Sequence, residues 1–171
     1  MDVAIRYSPA QLAGGGATKL GGEAVFPVCS PSLLLDRSRP LNNPTDLERH
    51  VLLTLDDPDG RWPWLSWNVW LEVAGIPELR PGGILRLSGY EQVIPAAIAG
   101  NGVALGRSPL VDAAIRDGQL VAPLERIAST ERAYWIVTGP EATSRPHVAE
   151  FVAWLKRASA KDLSRSNAGT R

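Results

Sequence analysis

The sequence is poor in the residues that build redox and metal centres. Its 171 residues include one cysteine, Cys29, and two histidines, His50 and His147. A lone cysteine cannot close an internal disulfide, and two histidines offer little for a metal cage. An excess of one charge is missing too: 18 Lys plus Arg balance 18 Asp plus Glu. Free-standing binders of nucleic acid or anionic membrane usually carry a basic surplus, so that balance argues against both. No apolar run approaches bilayer-spanning length, and Met1-Asp2 does not open like a signal peptide. The expectation is a soluble cytoplasmic protein without metal or cofactor. What is present is an ordinary globular composition, 44% hydrophobic and 21% charged. The length suits one domain or two small lobes.

Strand and helix signals alternate along the chain. Residues 2–7, with apolar Val3 and Ile5, predict a buried strand. Residues 24–29 predict a second, where Pro27 favours a sheet edge or crossing point. The loop between them carries Gly14-Gly15-Gly16 and Gly21-Gly22. No Lys-Ser or Lys-Thr follows the triple glycine, so a flexible loop is expected there and not a phosphate loop. Ser30-Pro31 reads as an N-cap followed by proline at the first helical position. Thr45-Asp46-Leu47-Glu48 reads as a capping box. Residues 52–55 predict a third strand, closed by the turn Asp56-Asp57-Pro58-Asp59-Gly60. Its three aspartates resemble an acidic metal site, but the glycine and terminal glutamate of a calcium loop are missing, and a solvated turn is expected.

Four tryptophans come next: Trp62, Trp64, Trp67 and Trp70. Trp64, Trp67, Leu71 and Ala74 recur at helical spacing before Gly75, so the plain reading is a buried tryptophan stripe. The sharper reading is an aromatic wall of a ligand pocket. Trp62 and Trp64, at the loop-to-helix junction, suit that role better than Trp67 and Trp70. Residues 84–87 predict a strand running into Ser88-Gly89-Tyr90-Glu91, a second capping-box match that opens a helix toward Gly100. Pro95 inside that helix demands a kink or a later start. Residues 103–106 predict a strand, 110–116 a helix, 120–121 a brief strand and 134–137 a strong strand. Val148, Phe151, Val152 and Leu155 mark an amphipathic closing helix, and residues 159–171 read as a disordered tail. Alternation of this kind predicts α/β layers with a largely parallel sheet.

Taken in order, these motifs resemble the effector-binding domain of LysR-type transcriptional regulators, nearest to the glycine-cleavage-activator-like subgroup. The residues that carry the resemblance are 2–7, Phe26-Pro27-Val28-Cys29-Ser30-Pro31, Pro44-Thr45-Asp46-Leu47 with His50, and the run 64–70. It continues through residues 97–106, Gly118-Gln119-Leu120-Val121, Tyr134-Trp135-Ile136-Val137 and the helix at 148–155. Each motif alone is weak; their shared order is specific. The resemblance implies a periplasmic-binding-protein-like fold of type 2, with two lobes joined by two crossing strands and a small effector held between them. Residues 1–28 and 134–158 would form lobe I, which is incomplete, and 29–133 lobe II. The winged helix-turn-helix that family members carry is absent from this sequence.

In such a fold, helix N-termini present unpaired amides and positive dipole ends that favour anionic or strongly polar ligands. The resemblance therefore implies ligand contacts at Ser88, Gly89 and Tyr90, with Arg107 as a planar cation, Trp64 as an aromatic wall, and Arg6 and Tyr7 from the opposite lobe. Each has a blander reading: Arg107 as a solvated loop residue, Ser88 as a helix cap. Cys29 reads as a small buried hydrophobe and the two histidines as structural. The function implied is effector sensing within a transcription regulator, not catalysis; no nucleophile, base and oxyanion donors assemble into a set. The expected partners are a small-molecule effector and a second copy, or a full-length regulator in a mixed dimer, with no direct nucleic-acid contact by this chain and no membrane. A competing expectation is an interaction fragment that modulates full-length regulators without a ligand response. An open edge on the first strand and a half-covered closing helix would favour association.

Overall fold

A computed structural model of the chain describes residues 2–124, 128–140 and 142–168. Two compact units emerge, one of Met1–Glu23 with Thr130–Arg171 and one of Ala24–Ser129. The long strands β2 (Thr18–Val28) and β6 (Ala128–Thr138) each contain one of the boundaries, a few residues earlier than the sequence suggested.

In the second unit, neighbouring residues of the central strands turn to opposite sides. Val25, Leu52, Val103 and Leu105 join one buried cluster with Trp67, Trp70 and Leu71. Phe26, Leu53 and Ala104 join another with Val93, Ala97 and Leu120. A period of two puts successive side chains on opposite faces, and strands apolar at both phases need cover on both. Here α1 (Trp67–Val73) supplies one layer, and α2 (Tyr90–Ile98) with α3 (Asp112–Arg116) supplies the other. Between them β3 (Val51–Leu55) pairs in parallel with β4 (Gly83–Leu87) and with β5 (Val103–Ser108). The end of β2 pairs antiparallel with β5, from Ala24↔Ser108 to Val28↔Ala104. The order is β2-β5-β3-β4. The expectation of a largely parallel sheet is thus corrected to a mixed one. Helical crossovers through α1 and α2 link β3, β4 and β5, and those are the strands that run parallel.

Local chemistry explains most element ends. Ser66 caps α1, its side chain accepting from Asn68 N, and Trp67 is pinned where its Nε1 donates to Leu53 O at 3.0 Å. Trp70 is 1% exposed, so truncating it to Ala would cost about 3–5 kcal/mol. The capping box expected at Thr45 and Glu48 is formed by Asn43 and Asp46 instead, with Pro44 as the first residue of the 3-10 turn. Gly21 and Gly22, expected in a loop, lie inside β2. The brief strand at 120–121 is a single bridge, Cys29↔Val121.

In the first unit, β1 (Val3–Pro9) runs antiparallel to β6, from Val3↔Thr138 to Pro9↔Arg132, and the strand order is β1-β6-β2. The far edge of β1 has no partner strand among the described residues. Trp135 Nε1 donates to Ser8 O at 3.0 Å, and Arg145 pairs with Asp2 at 3.1 Å. The closing helix α4 (Pro146–Ala168) buries Val148, while Phe151 and Trp154 stack on each other and stay 46% and 56% exposed. Helical backbone through Ala168 replaces most of the disordered tail expected from 159 onward, because no glycine or proline interrupts the run before Gly169. Residues 169–171 lie outside the described residues.

Candidate functional site

Strand alternation decides where Arg107 goes. Val103, Leu105 and Arg107 share one phase of β5, and the first two are core, so the guanidinium is carried toward the α1 side of the sheet. The residue is 7% exposed, and its guanidinium lies over two rings, 5.8 Å from the centroid of Trp62 and 5.5 Å from that of Tyr90. Tyr90 is in turn held by its hydroxyl, which donates to Leu105 O at 3.2 Å. A desolvated cation stacked on aromatic faces is positioned firmly and keeps its donors in one plane.

Ser88, Gly89, Tyr90 and Arg107 line a single recess of about 300 Å³. Trp62 and Glu91 share its wall, and Leu55 and Leu65 add apolar surface. The recess therefore combines a buried cation, an aromatic face and the first residues of α2. Gly89 is the N-cap of α2, correcting the expectation of Ser88: Gln92 N donates to Gly89 O at 3.0 Å. Ser88 stands one residue outside the helix, and its hydroxyl donates to Gln92 Oε1 at 3.2 Å. The start of α2 is faced by a carboxylate of its own, since a Cβ built on Gly89 would fall 2.0 Å from Glu91 Oε1. An acidic group beside a helix N-terminus is favourable, so Glu91 holds the place an external anion would prefer.

Trp64 is not part of this recess. It packs half-buried against the core and meets Trp62 edge-on, ring centroids 5.4 Å apart. Trp62, the second tryptophan of the loop-to-helix junction, is the one that reaches Arg107. Arg6 and Tyr7 belong to the first unit. Arg6 is exposed, with Nη1 3.4 Å from Ala13 O. The Tyr7 hydroxyl donates to the buried Glu23 carboxylate, and its ring lies 5.1 Å from Tyr134 and beneath Arg132 at 5.4 Å.

The residues with plainer readings have structural partners. His50 is 3% exposed, with Nε2 3.1 Å from Pro40 O. Burial pushes the Cys29 thiol up to about 11, which leaves little thiolate at neutral pH. In the acidic turn, Asp57 accepts from Arg61 N and Trp62 N, and Asp59 pairs with Arg61 at 3.0 Å. Among the described residues no group of His, Cys, Asp and Glu could hold a metal ion, and no helix is long and apolar enough to cross a membrane.

Comparison with known proteins supplies the family. The LysR substrate binding domain matches residues 1–160. The chain belongs to that family. It is 32% identical over 155 residues to the glycine cleavage system transcriptional activator of Escherichia coli K12, covering 91% of this chain and 48% of the relative. It is 28% identical over 161 residues to the transcriptional activator AmpR of Rhodobacter capsulatus, covering 94% of this chain and 52% of the relative. The chain thus spans about half the length of the curated relatives it matches. Among solved structures, the effector domain of AmpR from Pseudomonas aeruginosa superimposes with a TM-score of 0.66 at 24% identity, covering 96% of this chain and 76% of that one. The AmpR effector-binding domain of Citrobacter freundii gives 0.63, also at 24% identity. This LysR substrate-binding domain therefore shares the mixed α/β fold of those effector domains.

Proposed function

We propose that this LysR domain senses a small anionic or strongly polar metabolite in the recess formed by Ser88, Gly89, Tyr90 and Arg107. The observation that carries the reading is Arg107: a residue 7% exposed whose guanidinium lies over Trp62 and Tyr90, lining the same recess as the start of α2. A planar cation beside backbone donors suits a carboxylate, which both kinds of donor can bind at once. In a full-length cytoplasmic regulator, a ligand that binds one conformation better than another shifts their populations, and attached DNA-binding domains respond. Here the expected output is altered transcription-factor activity, with this chain supplying the sensing step. Isothermal titration with a panel of small carboxylates and amino acids tests the reading. Saturable binding by at least one supports it, and silence across the panel from a folded sample overturns it.

A second reading, association with full-length regulators without a ligand response, is favoured by the exposed Phe151–Trp154 stack on α4. Co-purification with such a regulator, together with silence across the panel, supports that reading over the first.

A further inference from the structure

A second recess, of about 410 Å³, opens beside the first and shares Leu55, Trp62 and Leu65 with it. Its volume falls in the range of about 300–1,000 Å³ usual for small-molecule sites. We propose that it is a separate binding site for an aromatic or heteroaromatic anion, distinct from the Arg107 recess.

Three observations specify that ligand class. First, the aromatic wall is fixed before anything binds. Asp57 Oδ2 accepts from Trp62 N at 2.6 Å, Leu65 N donates to Trp62 O at 2.9 Å, and Trp64 meets the Trp62 ring edge-on. A ring packed edge-on against Trp64 and under Arg107, on a backbone held at both its N–H and its carbonyl, costs little to order when a flat ligand stacks on it. Second, apolar surface continues from that wall: Trp62 is 39% exposed, Val69 38%, and Pro63 lies between them in the lining. A planar hydrocarbon or heterocyclic body suits such a surface. Third, the lining includes one cation, Arg86, which makes no ion pair or hydrogen bond among the described residues. It extends from β4 opposite Thr54 of β3. The one acid in the lining, Asp57, has both oxygens engaged with backbone N–H groups, Oδ1 with Arg61 N at 2.9 Å and Oδ2 with Trp62 N. The available charge in the recess is therefore positive, and Asn68 and Ser66 add polar groups at its edge.

The second site stands without the effector reading of the first.

The test uses the full chain and 2-naphthoate as probe, with neutral 2-naphthamide as its isostere, by isothermal titration and ligand-observed NMR. Saturable binding of 2-naphthoate is expected, weakened about tenfold or more by Arg86→Gln and by loss of the charge in 2-naphthamide. Arg80→Gln, at an exposed cation that lines neither recess, is expected to leave that affinity within about threefold. Arg86 is exposed, so its substitution leaves the fold intact, which a melting curve verifies. Loss with Arg107→Met and none with Arg86→Gln places the probe in the first recess and overturns the second site. Equal binding of 2-naphthamide overturns the assignment to anions, and absence of any binding overturns the proposal outright. Absence of 2-naphthoate binding leaves binding of smaller carboxylates in the panel untouched, and silence of the panel leaves 2-naphthoate binding to be measured, so the two readings fail separately.

Discussion

Arg107→Met separates the chemistry of the recess from its packing. The variant keeps an unbranched stem of similar reach at a residue 7% exposed and removes the guanidinium, which lies 5.8 and 5.5 Å from the Trp62 and Tyr90 centroids. Two cation–π contacts are lost, about 0.5–2 kcal/mol each depending on desolvation. Stability should therefore fall by about 1–4 kcal/mol. Ligand affinity should fall as well. A charge-assisted hydrogen bond contributes about 1.5–3 kcal/mol, which is about 10- to 150-fold in Kd. Arg107→Lys should fall between, since an ammonium keeps the charge and loses the planar fork. Isothermal titration with the tightest carboxylate of the panel reads the affinity, and urea denaturation followed by tryptophan fluorescence reads the stability. Unchanged affinity in Arg107→Met, in a protein that a melting curve shows to be folded, would refute recognition through this side chain.

Other outcomes follow from particular contacts. Glu91→Gln removes the carboxylate folded over Gly89, so carboxylate affinity should rise about two- to fivefold while stability falls by about 0.3–1 kcal/mol; a drop in affinity by titration would contradict the competitor role. Gly102→Ala places a Cβ 2.4 Å from Val51 O, where the neighbour is backbone of β3 and cannot turn aside. It should cost about 1–3 kcal/mol in urea denaturation, whereas Gly15→Ala, with nothing within 4 Å, should stay within about 0.5 kcal/mol. Burial raises the Cys29 thiol from 9.0 to about 11, so the folded state holds that proton more tightly than the unfolded chain. Its contribution to stability is full below pH 9 and is lost as pH rises toward 11, a dependence that Cys29→Ala should remove from the denaturation midpoint.

How far the sequence could be read depended on whether a signal was local. The two-sided burial of the second unit was legible because Leu52-Leu53 and Val103-Ala104-Leu105 are apolar at both phases of a strand. The mixed sheet was not: nothing within residues 24–28 states that their partner, Val103–Ser108, runs the other way. The start of α2 was placed one residue early, since Ser88-x-x-Glu91 satisfies a capping pattern that the serine side chain does not make. Gly21 and Gly22 read as loop because glycine disfavours strands in isolation, yet strand pairing overrides that preference within β2. The choice between Trp62 and Trp64 turned on the Asp57 carboxylate that grips Trp62 N and on a strand far along the chain that brings Arg107 to its ring. Neither is visible in helical spacing. Family resemblance put Arg107 among the candidates; only the three-dimensional arrangement assigns it two aromatic neighbours.

The most direct measurement is an amide NMR titration of the chain with sodium acetate, run against sodium chloride at matched ionic strength. Saturating shifts concentrated at the backbone of Ser88, Gly89 and Tyr90 and at the Arg107 Nε–H, and absent with chloride, are expected. Identical responses to the two salts, or an unperturbed α2 start while other residues saturate, would contradict anion recognition at this recess.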